Sequence, residues 1–344
     1  MDILRKCFDE VYNLIKPGVF WATNDNPELA HGLFVNSLRG LRKVGLSGLV
    51  LDNSSNSMSP GCVISNGAGF VRDAEINPRD MKYLGFDRVV IGSVSAEACD
   101  GNDFMPRVWR FPKTRSLVNC MGGAGVGAYE VVRRLRGYGE HGVPLTINLM
   151  VTPGKEGSEA LLDLGSTVLA FRGVPYVKRF TLNVSCPNTR GKDGKIDARN
   201  EHVEQLDGML DVVEYHIYNN QELYVKVSPD LNEAGVDEIV GICEGHRVSG
   251  YVVGNTTTEH LPKYISESPG KGGASGDAVW DASVRVQKYF ADRVGDDVKL
   301  IACGGINSVE RMEKRCAIGK CSEVQIFTGL IFKGPRLLRE LRSG

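Results

Sequence analysis

The 344-residue chain has almost no net charge: 41 lysines and arginines oppose 42 aspartates and glutamates, which leaves a formal charge of −1. Binding to nucleic acid depends on a basic surface, so this balance gives no support for a nucleic-acid partner. Long apolar runs are also missing, because charges interrupt the apolar positions of the opening stretch MDILRKCFDEVYNLIK. We therefore expect neither a secretory signal nor a membrane-spanning helix there.

The nine cysteines are odd in number, scattered, and include no C-x-x-C pair. Neither a disulfide framework nor a zinc site is therefore expected, and we predict no metal site and a reducing compartment. Cys7, Cys62, Cys243 and Cys316 are interpreted as inert buried thiols. A G-x-G-x-x-G motif after the first strand is missing as well, which disfavours a nicotinamide cofactor bound in a Rossmann fold.

Eight short apolar, β-branched runs recur along the chain, with helical or loop segments between them. Continuous apolar runs are typical of parallel strands buried on both faces. Eight strand–helix units in this length favour an α/β fold of the (β/α)8 TIM barrel type over an open doubly wound sheet. The predicted strands are Cys62–Asn66, Arg88–Gly92, Leu145–Leu149, Phe180–Val184, Leu223–Val227, Gly250–Val253, Leu300–Ala302 and Val324–Phe327.

Residues 1–45 are predicted to form a helical segment ahead of a barrel domain that spans residues 46–344. In the first helix the apolar residues fall on one face, and the second helix, Pro27–Val44, carries a similar stripe. Such a stripe suits a helix that caps the barrel and equally a helix that lies on a membrane surface. Both interpretations stay open from the sequence.

Polar residues and glycines cluster where the predicted strands end, and the active site of a TIM barrel forms at that rim. Lys226 closes the fifth strand, where it is either solvated or a cation that stabilises negative charge on an electron-accepting ring. Glycine pairs after the last strands let backbone N–H groups approach a phosphate. Six asparagines at or near the strand ends suggest a planar, uncharged ligand; they are Asn66, Asn119, Asn148, Asn183, Asn188 and Asn255.

Cys186 lies between carboxamides in the stretch NVSCPNT, residues 183–189. A thiol among neutral amides can act as a general base once it is deprotonated. It can alternatively act as a covalent nucleophile, although no histidine lies nearby in the sequence to activate it. Cys120 and Cys303 also lie near strand ends and are rival candidates with fewer polar neighbours.

The motifs NVSCPNT, VKVSPDL, NTT, GGASG, CGGINS and VQIFTGLIFKGP resemble, in order and spacing, those of the dihydroorotate dehydrogenases. The resemblance covers nearly the whole chain and is strongest over about residues 60–335. It implies an FMN-binding TIM barrel that oxidises dihydroorotate to orotate in pyrimidine synthesis. A base removes the C5 proton while hydride passes from C6 to flavin N5. The N-terminal segment resembles the quinone-using, membrane-associated class, which implies a quinone acceptor and a place in the cytoplasm or on an inner membrane facing a reducing compartment.

Residue by residue, the resemblance implies that Cys186 is the base and that Lys226 contacts the flavin. It also implies that His31 and Arg110 lie near a quinone tunnel. The residues implied around the pyrimidine are Arg72, Asn119, Asn183, Asn188, Thr189, Asn255 and Thr256. The further residues implied around the flavin are Ala68, Gly69, Ser93, Asn148, Asn183, Gly276, Gly304, Gly305, Phe327 and Thr328.

Four positions depart from the quinone-using class. That class usually has serine as its base, lysine in place of Arg72 and tyrosine in place of Phe327. Its loop after the position of Asn119 carries a bulky aromatic residue and two asparagines, where this chain has MGGAG. Three alternatives stay open: a relative that acts on another dihydropyrimidine or similar cyclic amide, a non-redox aldolase or isomerase with Lys226 as a Schiff-base lysine, and an inactive scaffold.

Overall fold

Two helices precede the barrel. The computed structural model describes residues 2–23, 26–48, 62–185 and 205–343. Helix α1 spans Asp2–Ala22 and helix α2 spans Pro27–Lys43. None of the helices in these ranges is long and apolar enough to span a membrane.

Helix α2 has defined ends and packs on the barrel. The side-chain oxygen of Asn26 accepts hydrogen bonds from the backbone N–H groups of Glu28 and Leu29, which satisfies two donors of the first turn. Val35 and Leu38 are buried and belong to the main hydrophobic core. Part of the apolar stripe of this helix therefore packs on the barrel, while Leu29 and Leu33 stay exposed.

Eight parallel strands form a ring, and the prediction of a TIM barrel is confirmed. The strands of the chain are β1 (Val63–Asn66), β2 (Val89–Val94), β3 (Val108–Phe111), β4 (Ser116–Asn119), β5 (Leu145–Leu149), β6 (Val177–Asn183), β7 (Glu222–Val227), β8 (Val248–Val253), β9 (Gly273–Gly276), β10 (Lys299–Cys303) and β11 (Cys321–Ile326). The parallel sheet has the order β1–β11–β10–β8–β7–β6–β5–β2. A parallel bridge between Ser65 and Arg88 joins its two ends and completes the ring.

Helices surround the ring and bury its outer face. They are α3 (Pro78–Leu84), α4 (Ala128–Gly137), α5 (Gly157–Ala170), α6 (Leu206–His216), α7 (Glu233–Cys243), α8 (Trp280–Arg293), α9 (Val309–Cys316), α10 (Thr328–Lys333) and α11 (Arg336–Ser343). In β5, Leu145, Ile147 and Leu149 belong to the core between barrel and helices, and the side chains that alternate with them face the barrel interior. Burial on both faces explains why the strands read as continuous apolar runs.

A three-stranded antiparallel sheet, β3–β4–β9, was not predicted from the sequence. Its strands have four residues each, and every residue of β3 is partly exposed, so they give no continuous apolar signal. The sheet lies beside the carboxyl-terminal rim of the barrel. Its register pairs Asn119 with Gly273 and Ser116 with Gly276, so it positions two of the predicted site residues.

The amino-terminal end of the barrel interior holds a cluster of buried charges. The guanidinium of Arg179 contacts the carboxylates of Glu323 at 2.7 Å and Glu222 at 3.0 Å. Arg88 lies 3.5 Å from the same Glu323 carboxylate. Arg179 and Glu323 are 4% and 1% exposed. Burial raises the pKa of the neighbouring Tyr224 to about 12. Paired charges therefore fill this end of the barrel.

The Glu323→Gln variant should lower the free energy of unfolding by about 3–5 kcal/mol, because the guanidinium groups of Arg179 and Arg88 would then share a single carboxylate, that of Glu222. Denaturant unfolding followed by circular dichroism measures this loss. The control is Glu310→Gln, which removes an exposed i,i+4 pair with Lys314 and should leave stability nearly unchanged. Equal losses in the two variants would contradict the role assigned to the buried cluster.

Candidate active site

A cavity of about 540 Å³ opens at the carboxyl-terminal ends of the barrel strands and extends under α1 and α2. Because all eight strands are parallel, the polar residues that follow them converge on this one rim. Most residues that the sequence proposed for the site line the cavity. They are His31, Ala68, Gly69, Arg72, Ser93, Asn119, Asn183, Lys226, Asn255, Thr256, Gly276, Gly304, Gly305, Phe327 and Thr328.

The remaining proposed residues lie elsewhere. Asn148 lies behind the cavity wall and donates a hydrogen bond of 2.6 Å to Ser93 Oγ. Arg110 is not among the residues that line the cavity. Its guanidinium lies over the ring of Phe20, 3.5 Å from the ring centroid, so it supports the wall from outside. The predicted positions Cys186, Asn188 and Thr189 lie outside the described residues.

A chain of hydrogen bonds fixes the amide groups at the bottom of the cavity. Asn255 Nδ2 donates to Asn183 Oδ1 at 3.2 Å and to the carbonyl oxygen and hydroxyl of Ser185 at 3.0 Å each. Asn183 Nδ2 in turn donates to Ser93 Oγ at 3.2 Å. These contacts orient both carboxamides before any ligand arrives, and sequence reasoning had not identified Ser185 as a participant.

Lys226 is a buried cation beside these amides. It ends β7 next to Asn183 in the strand register and is 5% exposed. Within the described part of the chain no carboxylate lies at ion-pair distance from it. A buried ammonium without a counter-charge is unfavourable unless an anionic or electron-rich group lies against it. This end of the barrel therefore differs from the opposite end, where the buried charges are paired.

Two further polar atoms at the cavity wall have no hydrogen-bond partner among the described residues. They are Gln325 Oε1 and Thr256 Oγ1, and both atoms are buried. Buried polar atoms are nearly always satisfied in native proteins, so such groups at a cavity point to a polar ligand. Sequence reasoning missed Gln325, because it lies inside a strand that reads as apolar.

Glycines let the backbone approach the cavity after β9 and β10. Gly304 has φ +103°, and a Cβ atom there would lie 2.4 Å from Ser283 Oγ. Gly276 has φ +80°, and a Cβ atom would lie 2.2 Å from the Arg115 carbonyl oxygen. Only glycine fits at both positions. The loops therefore present backbone groups rather than side chains, as a phosphate-binding rim requires.

Aromatic rings divide the cavity into two parts. Phe70 contacts Phe327 edge to face with ring centroids 5.7 Å apart, and it contacts His31 at 5.5 Å. The part on the barrel side is lined by the amides and glycines described above. The part on the other side is lined mainly by apolar residues of α1 and α2, such as Ile15, Phe20, Leu33 and Phe34. Sequence reasoning missed Phe70, although it directly follows Gly69.

Comparisons with known proteins agree with this architecture. The profile of the family described as dihydroorotate dehydrogenase matches residues 60–344. The chain belongs to the dihydroorotate dehydrogenase family. It is therefore an oxidoreductase, and the resemblance seen in its motifs is confirmed.

Relatives in this family cover nearly the whole chain. Proteins named dihydroorotate dehydrogenase (quinone) from Natronomonas pharaonis and Idiomarina loihiensis are 30% and 29% identical, over 97% of this chain and 93% and 99% of their own lengths. The crystal structure of the Eimeria tenella enzyme in complex with ferulenol superposes with a TM-score of 0.78 at 21% identity, over 92% of this chain and 90% of that one. Its ligand-free form gives 0.76.

The loop after β1 forms another part of the cavity wall. Arg72 lines the cavity, and its Nε donates to the Asp73 carboxylate at 3.0 Å. Glu75 holds the loop by accepting from the backbone N–H groups of both residues. Burial raises the pKa of Glu75, but hydrogen bonds from His31 and the backbone outweigh it, so the pKa lies below its usual value. Residues 121–124 also line the cavity.

The Asn255→Asp variant should lower the free energy of unfolding at neutral pH by about 1–3 kcal/mol, because a carboxylate oxygen replaces the donor that faces three acceptor oxygens. Thermal denaturation at pH 8 and pH 5 measures this. The deficit should shrink at the lower pH, since a protonated carboxyl can donate again. The control is Asn219→Asp. Its carboxylate can still accept the exposed hydrogen bond from Arg247, so its stability should be unchanged. A deficit independent of pH would contradict the donor role of Asn255.

Proposed function

We propose that this protein oxidises dihydroorotate to orotate, with FMN as its cofactor and a quinone as the electron acceptor. The observation that carries this proposal is the single cavity with two chemically different parts. A polar part at the barrel rim suits a small heterocycle with C=O and N–H edges. An apolar part beneath two helices suits a hydrophobic acceptor. The names of the curated relatives support the quinone class.

The residues at the rim fit FMN. Gly276, Gly304 and Gly305 line the cavity without side chains, which suits the approach of a phosphate to the backbone, and Thr328 adds a hydroxyl that contacts Ser275 Oγ at 2.9 Å. The unsatisfied buried oxygen of Gln325 and the ammonium of Lys226 suit a polar ring system that accepts electrons. Bound FMN would supply the acceptor for the hydride that leaves C6 of the substrate.

Cys186 is the proposed base. The chain reaches it from Ser185, which is buried and whose hydroxyl donates to the Lys226 carbonyl oxygen at 3.2 Å. Ser185, the residue before Cys186 in the sequence, is therefore held next to Asn255 and Lys226. As a thiolate it would remove the proton from C5 of dihydroorotate, while Asn183 and Asn255 hold the ring by hydrogen bonds. Asn119, Asn188, Thr189 and Thr256 are proposed to complete the substrate contacts.

Arg72 is proposed to hold the substrate carboxylate. It is a cation that lines the cavity, and its ion pair among the described residues is with the single carboxylate of Asp73. A guanidinium can bind a carboxylate through two parallel hydrogen bonds, which fixes the plane of the ring that carries it. The substitution of arginine for lysine therefore changes the geometry of this contact but keeps its charge.

A second candidate is oxidation or reduction of another dihydropyrimidine-like cyclic amide. The small residues of the loop that follows Asn119 favour it, because Gly122 and Gly123 line the cavity where the family usually carries a bulky aromatic. A larger or differently substituted ring would fit the added space. The non-redox alternative with a Schiff-base lysine does not agree with membership in a dehydrogenase family.

Under anaerobic conditions, dihydroorotate should bleach the flavin absorbance of the purified protein. The Cys186→Ala variant should retain flavin but lose turnover by about 10²–10⁴-fold, since general-base catalysis contributes that much. Anaerobic stopped-flow spectroscopy measures the reduction rate. Cys303→Ala is the control, because that rival thiol also lines the cavity; it should change the rate by only a few-fold. Bleaching by a different cyclic amide alone would favour the second candidate.

We also propose that α1 and α2 contact a membrane surface, through which a quinone would reach the cavity. Leu14 and Trp21 of α1 are 80% and 85% exposed, and Leu29 of α2 is 58% exposed. Exposed apolar residues on adjacent helices are typical of interfacial attachment. Basic residues at the end of α2, Arg42 and Lys43, would favour anionic lipids.

The Leu14→Glu, Trp21→Glu double variant should float less with anionic liposomes and show a higher KM for a long-chain quinone. A water-soluble acceptor should be reduced at the unchanged rate, because the barrel rim is untouched. The control Tyr215→Glu replaces an aromatic residue of α6 that is 84% exposed. Flotation that is equal in the wild type and in both variants would refute the membrane contact.

A further inference from the structure

Three cysteine thiols meet at the end of the barrel opposite the cavity. Cys62 directly precedes β1, Cys316 ends α9, and Cys321 begins β11. Their sulfur atoms all lie within 4.8 Å of one another. None of the three lines the cavity described above. The group therefore has no part in the proposed reaction and requires its own explanation.

The backbone brings these thiols together without help from a ligand. Strands β1 and β11 pair in parallel with Val63 opposite Glu323, so Cys62 lies level with the first residues of β11. Helix α9 ends beside the same strand, and a short turn through Lys320 at φ +67° leads the chain from Cys316 back to Cys321. The positions of the three sulfurs are thus set by the strand register and by this turn.

The spacing and burial suit a bound ion. A Zn–S bond of about 2.3 Å places the sulfurs of a tetrahedral site about 3.8 Å apart. The three sulfurs here lie within 4.8 Å of one another, so small side-chain movements would bring them to that separation. Cys62 is 3% exposed, whereas Cys316 and Cys321 are partly exposed. Cys62 therefore lies in the protein interior, and an ion can reach the group from solvent on the side of Cys316 and Cys321.

The chemistry of the donors selects the type of ion. Three sulfur ligands, with no carboxylate or imidazole in the group among the described residues, favour a soft cation over Mg²⁺ or Ca²⁺.

We propose that Cys62, Cys316 and Cys321 form a binding site for a soft, thiophilic metal ion of the Zn²⁺ type. No metal site was predicted from the sequence, because only C-x-x-C pairs were considered. Cys316 and Cys321 have the longer C-x4-C spacing, and Cys62 is far from both along the chain. A bound ion would join the first and last strands of the barrel to α9. Its expected effect is on stability, since an ion that binds only the folded state raises the melting temperature.

The test uses the full-length, flavin-loaded protein, kept reduced with a phosphine and freed of metal by a chelator. Cd²⁺ is the probe, since its thiolate complexes have an ultraviolet charge-transfer band that Zn²⁺ lacks. The wild type should bind one Cd²⁺ at this site and melt at a higher temperature. Cys316→Ser and Cys321→Ser should bind Cd²⁺ more than about tenfold more weakly, since even a lost outer-shell partner costs about that much.

Cys99→Ser is the matched control, because that thiol is also partly exposed but lies outside the cluster. It should bind Cd²⁺ as the wild type does. Equal affinity, band intensity and stabilisation in the wild type and in the Cys316 and Cys321 variants would overturn the proposal. So would a wild type that binds no Cd²⁺.

A second measurement needs no variant and so does not depend on how a variant folds. Iodoacetamide labelling of the wild type, mapped by mass spectrometry, should slow at Cys316 and Cys321 when one equivalent of Cd²⁺ is present. Cys99 is a partly exposed thiol outside the cluster and should react at an unchanged rate. Unchanged labelling of Cys316 and Cys321, or equal protection of Cys99, would contradict the site.

Discussion

Parallel pairing of eight strands is the constraint on which the rest of this structure depends. Parallel strands share one direction, so every carboxyl end lies at the same rim and residues remote in sequence become neighbours there. Asn183 and Lys226, for example, are adjacent because β6 and β7 pair in register. The same direction places the amino-terminal residues of β1 and β11 at the opposite end, where Cys62 and Cys321 meet.

Buried charges are paired at one end of the barrel, whereas the buried charge at the other end has no partner among the described residues. At the amino-terminal end, Arg179 and Glu323 neutralise each other and fill the interior. At the rim, Lys226 is buried without a carboxylate partner among the described residues, beside polar atoms that are also unsatisfied. A buried cation without a counter-charge is expected where a ligand completes it, so the unpaired Lys226 marks the functional end. Paired charges stabilise the fold, and the unpaired one is available for binding and chemistry.

The barrel and much of the rim could be predicted because their signals are local. Strands buried on both faces read as apolar runs, and the polar residues that end them stand out. The hairpin of β3 and β4 was missed because its strands have only four residues each and β3 is partly exposed along its whole length. Arg110 was expected near the quinone; its guanidinium stacks on Phe20, which lines the apolar part of the cavity, and its role stays a prediction. The cysteine cluster could not be predicted, since only the strand register brings Cys62 to the other two.

The aromatic divider explains how one cavity could serve two reactants of opposite polarity. Phe70 and Phe327 meet edge to face between the amide-lined floor and the helix-lined opening. Under the proposed function, dihydroorotate and a quinone would approach the same cofactor from these two sides. Dihydroorotate would stay in the polar part of the cavity, and the quinone would stay in the apolar part. Phe327 has no hydroxyl to offer. The polar contacts on the helix side of the divider must then come from elsewhere, and His31, held by Glu75 at 3.4 Å, is in position to supply one.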